Sequence, residues 1–336
     1  MIRLVIVDDS ATMRAILAAR LSGEPDIRIV GMAADAREGR EMIRALDPDV
    51  ITLDVEMPGM NGLDFLEKIM TLKPKPVIVI SGATQAGTAA TARALTLGAV
   101  HCYAKCDRSG NLPLEDHGRL AQLIREAAQV RFEAVAPPDS KLPAIGGTAC
   151  DLIAIASSTG GVEALQKLLP TFTDACPPTL IVQHVNAQFA PAIARSLDSI
   201  SGARVMLAEP GVTLKRGEIY LAPGDDRHLG LAGSADLKIA LRRGAPVSGH
   251  VPSADVLFHS IAARRDIRAT GVILTGMGRD GAEGLLAMAG AGHRTIAQDR
   301  SSCTVYGMPR VAVELGAARE IVSLEAMAQC LVGLAA

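Results

Sequence analysis

Ser158, His184 and Asp280 are residue types that together carry out acyl transfer. Ser158 lies in Ala156-Ser157-Ser158-Thr159-Gly160-Gly161, directly after an apolar run. A small-residue turn of this kind exposes a hydroxyl at a strand end, and its glycines let a substrate approach the backbone. The helix expected next favours developing negative charge at its N-terminus. A serine hydroxyl is a weak nucleophile at neutral pH and needs a base. His184 ends the next strong apolar run, Leu180-Ile181-Val182-Gln183. Asp280 falls in Thr275-Gly276-Met277-Gly278-Arg279-Asp280-Gly281, where it could fix the tautomer of His184 and stabilise its imidazolium. The glycines beside Met277 leave its backbone N–H available to an oxyanion. Singly, each has a plainer reading: a phosphate-binding turn, a packing histidine, a helix cap, a tight turn. Three such elements at three strand ends favour a hydrolase. Their order, Ser, His, Asp, differs from the Ser, Asp, His of α/β-hydrolases, and Ala156 stands where the nucleophile elbow has its first glycine.

A second constellation occupies the first half. Asp8 and Asp9 follow the first strand-like run, and Asp54 ends the third, before Val55-Glu56-Met57-Pro58-Gly59. In a parallel sheet, groups at C-terminal strand ends converge in one crevice. Three carboxylates there repel unless a hard cation joins them, and Mg2+ prefers oxygen ligands. A carboxylate beside that ion can attack phosphorus and form an acyl phosphate. Ser81 and Lys105 follow the fourth and fifth runs, where a hydroxyl and an ammonium bind phosphoryl oxygens. The added charge would draw both inward and repack a helix–strand face.

The elements needed to position these groups are legible. Strand-like runs at 2–7, 27–33, 49–53, 76–80 and 99–103 alternate with helix-like stretches that open at Ser10 and Asp35, both fitting N-caps. A second series follows at 151–156, 179–183, 204–208, 218–222 and 270–274, with 229–232 and 237–241 fitting an antiparallel pair. The fold class is α/β in both halves, a flavodoxin-like domain followed by a doubly wound α/β hydrolase domain. Pro137, Pro138, Pro143, Gly146 and Gly147 mark a linker, so the division expected is 1–130, linker 131–148 and 149–336.

The 336 residues are 49% hydrophobic with a net charge of −2, which excludes a disordered chain and argues against general binding of nucleic acid or anionic membrane. No window approaches ~20 uninterrupted apolar residues, so no membrane insertion is expected. The chain opens on a strand-like run rather than a signal peptide, and its six cysteines lack C-x-x-C spacing. They read as reduced thiols in a cytoplasmic protein.

Residues 1–130 resemble the receiver domain of two-component response regulators. The resemblance implies that Asp54 is the phosphoacceptor, that Asp9, Asp54 and the Glu56 carbonyl ligate Mg2+, and that Asp8 acts through water. Cys106 replaces the proline usual after the lysine, and Cys102 replaces the usual aromatic switch residue, with Tyr103 one place later. Tyr103 either takes the place of that switch residue or faces the core, and the core reading is preferred.

Residues 149–336 resemble the catalytic domain of the chemotaxis protein-glutamate methylesterases. The resemblance rests on Ser158-Thr159-Gly160-Gly161, Gln183-His184, Pro252-Ser253-Ala254-Asp255-Val256-Leu257-Phe258, Leu274 to Gly281, Ala297-Gln298-Asp299 and Tyr306-Gly307-Met308-Pro309-Arg310. It implies that Ser158 is the nucleophile, His184 the base and Asp280 the orienting acid. Ser157 stands in place of a usual alanine, and Val251 in place of the arginine of a His-Arg-Pro-Ser motif. His101, His117, His228, His259 and His293 have no motif partner and read as structural or exposed.

The implied function is phosphorylation-regulated hydrolysis of glutamate methyl esters on the cytosolic helices of chemoreceptors, with deamidation of receptor glutamines as a companion activity. The implied partners are methylated chemoreceptors and a chemotaxis histidine kinase as phosphodonor. Mg2+ serves receiver phosphorylation, and ester hydrolysis needs no cofactor. Two rivals belong to other classes. One is a phosphorylation-controlled binding module without turnover. The other is a DNA-binding response regulator, disfavoured by the lack of a basic recognition helix.

Overall fold

A computed structural model describes residues 1–57, 61–82, 85–105, 118–130, 132, 150–233 and 236–332. The chain forms two compact units, Met1–Phe132 and Glu133–Ala336. The expected linker, apart from residue 132, lies outside the described residues, as does Cys106.

The first unit runs β1 (Ile2–Val7), α1 (Ala11–Leu21), β2 (Ile27–Ala33), α2 (Ala36–Leu46), β3 (Val50–Asp54), α3 (Gly62–Leu72), β4 (Val77–Ser81), α4 (Gln85–Thr96), β5 (His101–Ala104) and α5 (Arg119–Ala127). The strands pair in parallel in the order β2-β1-β3-β4-β5. β3 and β4 are buried along their whole length, as strands covered by helices on both faces must be. Ser10 and Asp35 are the expected caps: their side chains accept from the N–H groups of Met13 and Glu38. Tyr103 is buried, and its hydroxyl accepts a hydrogen bond from Arg20 on α1, in agreement with a core role.

The second unit runs β6 (Leu152–Ser157), α6 (Gly161–Leu168), β7 (Thr179–Gln183), α7 (Ala190–Asp198), β8 (Arg204–Leu207), β9 (Glu218–Leu221), β10 (Arg227–Ala232), β11 (Lys238–Arg243), α8 (Ala254–Ala262), β12 (Ala269–Ile273), α9 (Ala282–Gly290), β13 (Arg294–Gln298), α10 (Met308–Glu314), β14 (Glu320–Val322) and α11 (Leu324–Val332). Seven parallel strands lie in the order β14-β13-β12-β6-β7-β9-β8, and β10 and β11 form a separate antiparallel hairpin. β13 and β14 extend the sheet beyond what the sequence patterns indicated.

The first strand of this unit, β6, lies inside the sheet. The chain builds outward from it through β7 and later returns to its other side with β12. That reversal opens a crevice at the C-terminal end of β6, where open α/β sheets bind their ligands. The core beneath combines Leu152, Ala154 and Ala156 of β6 with Leu257, Phe258 and Ile261 of α8 and Leu285 and Met288 of α9. Cys102, Cys150, Cys176, Cys303 and Cys330 are free thiols. No helix among the described residues is long and apolar enough to cross a membrane.

Candidate active site

Ser158 sits one residue past β6, and its backbone is locked to both neighbouring strands. Its N–H donates to the Thr275 carbonyl (3.1 Å), while the Ser157 carbonyl accepts from the His184 N–H (3.0 Å). Ser158 and His184 therefore stand at adjacent strand ends beside the loop that follows β12. Ser157 points the other way. It is fully buried, and its hydroxyl donates to Gln183 Oε1 (2.6 Å) while Gln183 Nε2 donates to the Ser158 carbonyl (2.9 Å). The residue that replaces the usual alanine thus clamps the turn, and Ser158, half-buried, is the more accessible hydroxyl of the two.

His184 Nε2 lies 2.7 Å from Asp280 Oδ2. A carboxylate oxygen only accepts, so Nε2 carries the proton, and in the neutral imidazole Nδ1 keeps its lone pair. Nδ1 is buried and has no hydrogen-bond partner among the described residues. No hydrogen bond joins it to Ser158 in this state, which is common before substrate aligns a catalytic pair.

Asp280 is fully buried and accepts three further bonds: from Ser253 Oγ (2.6 Å), the Ala254 N–H (2.7 Å) and the Asp255 N–H (3.2 Å). Burial works to raise its pKa. The hydrogen bond from His184 and the ring's charge when it is protonated, with the Ser253 and Ala254 donors, outweigh burial and hold the carboxyl at about 2. Asp280 does not cap its own helix, where Gly281 is the N-cap at φ 86°; it binds the first turn of α8 instead.

The Met277 N–H donates no hydrogen bond among the described residues, and the residue is half-buried. Its loop is held by the Thr275 N–H to Gln298 Oε1 (2.7 Å) and by the Gly276 carbonyl, which accepts from Met308 N–H (2.8 Å). Gly276 must be small, because a Cβ there would lie 2.8 Å from Ser158 Cβ. Ser253, Gln298 and His250 are site residues to which the sequence assigned no role, although all lie within motifs it singled out.

His184, His250 and Asp280 each bring a possible ligand atom within 4.8 Å of the others. The two imidazoles are stacked, with centroids 3.8 Å apart and planes 6° from parallel. In-plane lone pairs of parallel rings run side by side and do not converge on one ion, so this arrangement fits acid–base work better than a metal centre.

In the first unit, Asp8, Asp9 and Asp54 bring carboxylate oxygens within 4.8 Å of one another. Asp8 and Asp54 are buried and Asp9 is exposed. Lys105 Nζ reaches Asp54 Oδ2 (2.6 Å) and Asp8 Oδ2 (3.0 Å). Burial raises the pKa of Asp8, and the Asp54 charge adds to it against the opposing pull of Lys105 and the Ser10 N–H. Burial would lower the pKa of Lys105, but its bonds and charges with Asp54 and Asp8 raise it. The Lys105 N–H donates to the Ser81 carbonyl (2.8 Å), and the Glu56 N–H donates to Asp54 Oδ1 (3.0 Å). The expected residues therefore gather at one edge of the sheet. The all-oxygen donor set, with a buried Asp8 Oδ2 that accepts no well-aligned hydrogen bond, fits Mg2+.

Residues 153–331 match the CheB methylesterase family, and residues 4–113 match the response regulator receiver domain. The chain belongs to the CheB methylesterase family. Two relatives in this family are similar over nearly their whole length. The protein-glutamate methylesterase/protein-glutamine glutaminase 1 of Caulobacter vibrioides is 50% identical, covering 99% of this chain and 98% of its own. Its namesake from Rhizobium johnstonii is 49% identical, covering 97% and 94%. Among solved structures, the CheB methylesterase catalytic domain of Thermotoga maritima is 32% identical with a TM-score of 0.53, over 56% of this chain and all of that one. The CheB methylesterase match spans β6 to α11 and so includes Ser158, His184, Met277 and Asp280.

Proposed function

We propose that this chain hydrolyses glutamate methyl esters on chemoreceptors, with Ser158 as nucleophile, and that phosphorylation of Asp54 controls the rate. The observation that carries the esterase reading is the unpaired Nδ1 of His184, left as a base while Asp280 holds Nε2. His184 Nδ1 takes the Ser158 proton as Oγ attacks the ester carbonyl carbon. The oxyanion forms beside the Met277 N–H and near the N-terminus of α6. Asp280 stabilises the imidazolium, which then protonates the departing methoxide. Methanol leaves, and a glutamyl ester remains on Ser158. Water, deprotonated by His184, attacks that ester, restoring Ser158 and releasing the glutamate carboxylate. A glutamine side chain enters the same sequence with ammonia as leaving group, in keeping with the double name of the relatives.

In the receiver unit, Asp8, Asp9, Asp54 and the Glu56 carbonyl would hold Mg2+, which supplies charge neutralisation when bound. Asp54 accepts the phosphoryl group from a histidine kinase. Lys105, already on Asp54, and Ser81 receive its oxygens. The division into receiver 1–130, linker 131–148 and esterase 149–336 gives the switch its means. The unphosphorylated receiver would inhibit the esterase unit, and phosphorylation would relieve that inhibition. A short linker keeps the local concentration of one unit at the other high.

The test is methanol release from a methylated receptor cytosolic fragment, with and without a small phosphodonor and Mg2+. Release that vanishes in Ser158→Ala and rises with phosphodonor supports both halves. No release from the wild type turns the reading to a binding module. Removal of residues 1–130 should raise the rate; an unchanged or lower rate would end the autoinhibition reading.

A further inference from the structure

His250 contributes to none of the steps above, yet its ring lies flat on the proposed base, 3.8 Å between centroids and 6° between planes. The structure holds it there by several independent devices. Val247 and His250 exchange backbone hydrogen bonds across a tight turn (3.1 and 3.0 Å), with Ser248 at φ 51° and Gly249 at φ 82°. Both central residues are left-handed, the mark of a twisted two-residue hairpin turn, and a serine there is strained. Ser248 Oγ donates to the buried Asp255 Oδ2 (2.8 Å), anchoring the turn to the first turn of α8. The Ser248 carbonyl accepts from His250 Nδ1 (2.9 Å), which must carry the proton because a carbonyl only accepts. The flanks of this segment are also fixed. His228 of β10 donates from Nε2 to the Ala245 carbonyl (3.0 Å) and accepts at Nδ1 from the Ser253 N–H (3.1 Å). That spacing from Ala245 to Ser253 brackets His250.

Asp280 alone does not fix His184. One hydrogen bond at Nε2 sets the position of a single ring atom and leaves the ring free to rock about the line from Cβ to Nε2. A second flat ring in face contact removes that freedom, because any swing opens the stack. We propose that His250 is a positioning residue for His184, its stacked ring holding the imidazole in the plane where Nε2 meets Asp280 and Nδ1 is left for Ser158. The proposal rests on the esterase reading of Ser158 and His184.

The experiment compares full-length wild type, His250→Ala, His250→Phe and Ser158→Ala for kcat and KM of methanol release, thermal midpoint, and the strongly deshielded proton-NMR signal of the His184 Nε2–H. His250→Ala should lower kcat about 10- to 100-fold, the order of loss that small misplacement of a catalytic group produces, with KM within about twofold. Its Nε2–H signal should broaden or vanish. His250→Phe keeps the stack but loses the bond to Ser248, so it should recover most of kcat and the signal while its thermal midpoint falls as far as that of His250→Ala. Wild-type kcat in His250→Ala, an effect confined to KM, or a His250→Phe as impaired as His250→Ala would each overturn the assignment. Methanol release surviving in Ser158→Ala would instead remove the esterase reading beneath it, and a dead Ser158→Ala beside an unaffected His250→Ala would remove only the role of His250.

Discussion

Replacement of Gly276 by alanine tests whether Ser158, the proposed nucleophile, is held by close packing. The new Cβ would lie 2.4 Å from Met308 Sδ, 2.8 Å from Ser158 Cβ and 3.2 Å from Ser158 N. The Met308 thioether can turn aside. Ser158 Cβ cannot, because it is fixed to a backbone whose N–H is bonded to Thr275 and whose carbonyl is bonded to Gln183. Ordinary contact begins near 3.4 Å, so Ser158 and the Thr275–Met277 loop must part by about 0.6 Å. That motion separates the nucleophile from the Met277 N–H as well. A shift of ~1 Å at a reacting group costs about 100-fold, so a loss of roughly 10- to 100-fold in kcat is expected. The strain should lower stability by about 1–3 kcal/mol, within the reach of overpacking and short of unfolding a typical domain. Methanol release measured beside urea unfolding separates the two effects. Gly290→Ala is the control: nothing lies within 4 Å of its added Cβ at the end of α9, so activity should be unchanged and stability equal or slightly higher. A Gly276→Ala enzyme within threefold of wild type would refute the argument that Ser158 is positioned by this contact.

Ser157→Ala, which restores the residue usual in the family, removes the buried bond to Gln183 and should cost about 1 kcal/mol in urea unfolding while methanol release persists; loss of all activity would make Ser157 the nucleophile. The carboxyl of Asp280 titrates at about 2 in the folded chain against 3.8 as an ordinary aspartate, so its stabilisation is fully present above about pH 4 and is lost as pH falls through 2. Urea midpoints followed from pH 5 to pH 2 should therefore fall less steeply in Asp280→Asn than in the wild type, and parallel curves would contradict the assignment. Lys105→Met leaves Asp8 and Asp54 without their shared cation and should abolish the rise in methanol release on adding phosphodonor, with basal release retained; an undiminished rise would show that Lys105 does not bind the phosphoryl group.

The sequence by itself determined the two parallel sheets and most of their strands, because buried runs such as Val50–Asp54 and Val77–Ser81 are continuous in the chain and announce themselves locally. It also determined which residues stand at the strand ends, since a polar residue closing an apolar run can only emerge at the rim. Ser10 and Asp35 were readable as caps for the same reason, a cap being a contact over three residues. β13 and β14 were not readable. β14 has three residues with Glu320 among them, and that glutamate is paired with Arg294 on the neighbouring strand (2.7 Å), a partner 26 residues away. The tertiary structure alone decided the geometry within the proposed triad. Which imidazole nitrogen is free depends on where Asp280 approaches His184. Asp280 in turn is held by the first turn of α8, more than twenty residues earlier in the chain, and not by the helix it precedes. The face-to-face contact of His250 with His184 joins residues 66 apart through a turn, a hairpin and a helix start, and no local pattern encodes it. Residue types and strand ends are properties of short segments, whereas protonation states and ring orientations are set by whichever distant groups the completed fold brings alongside.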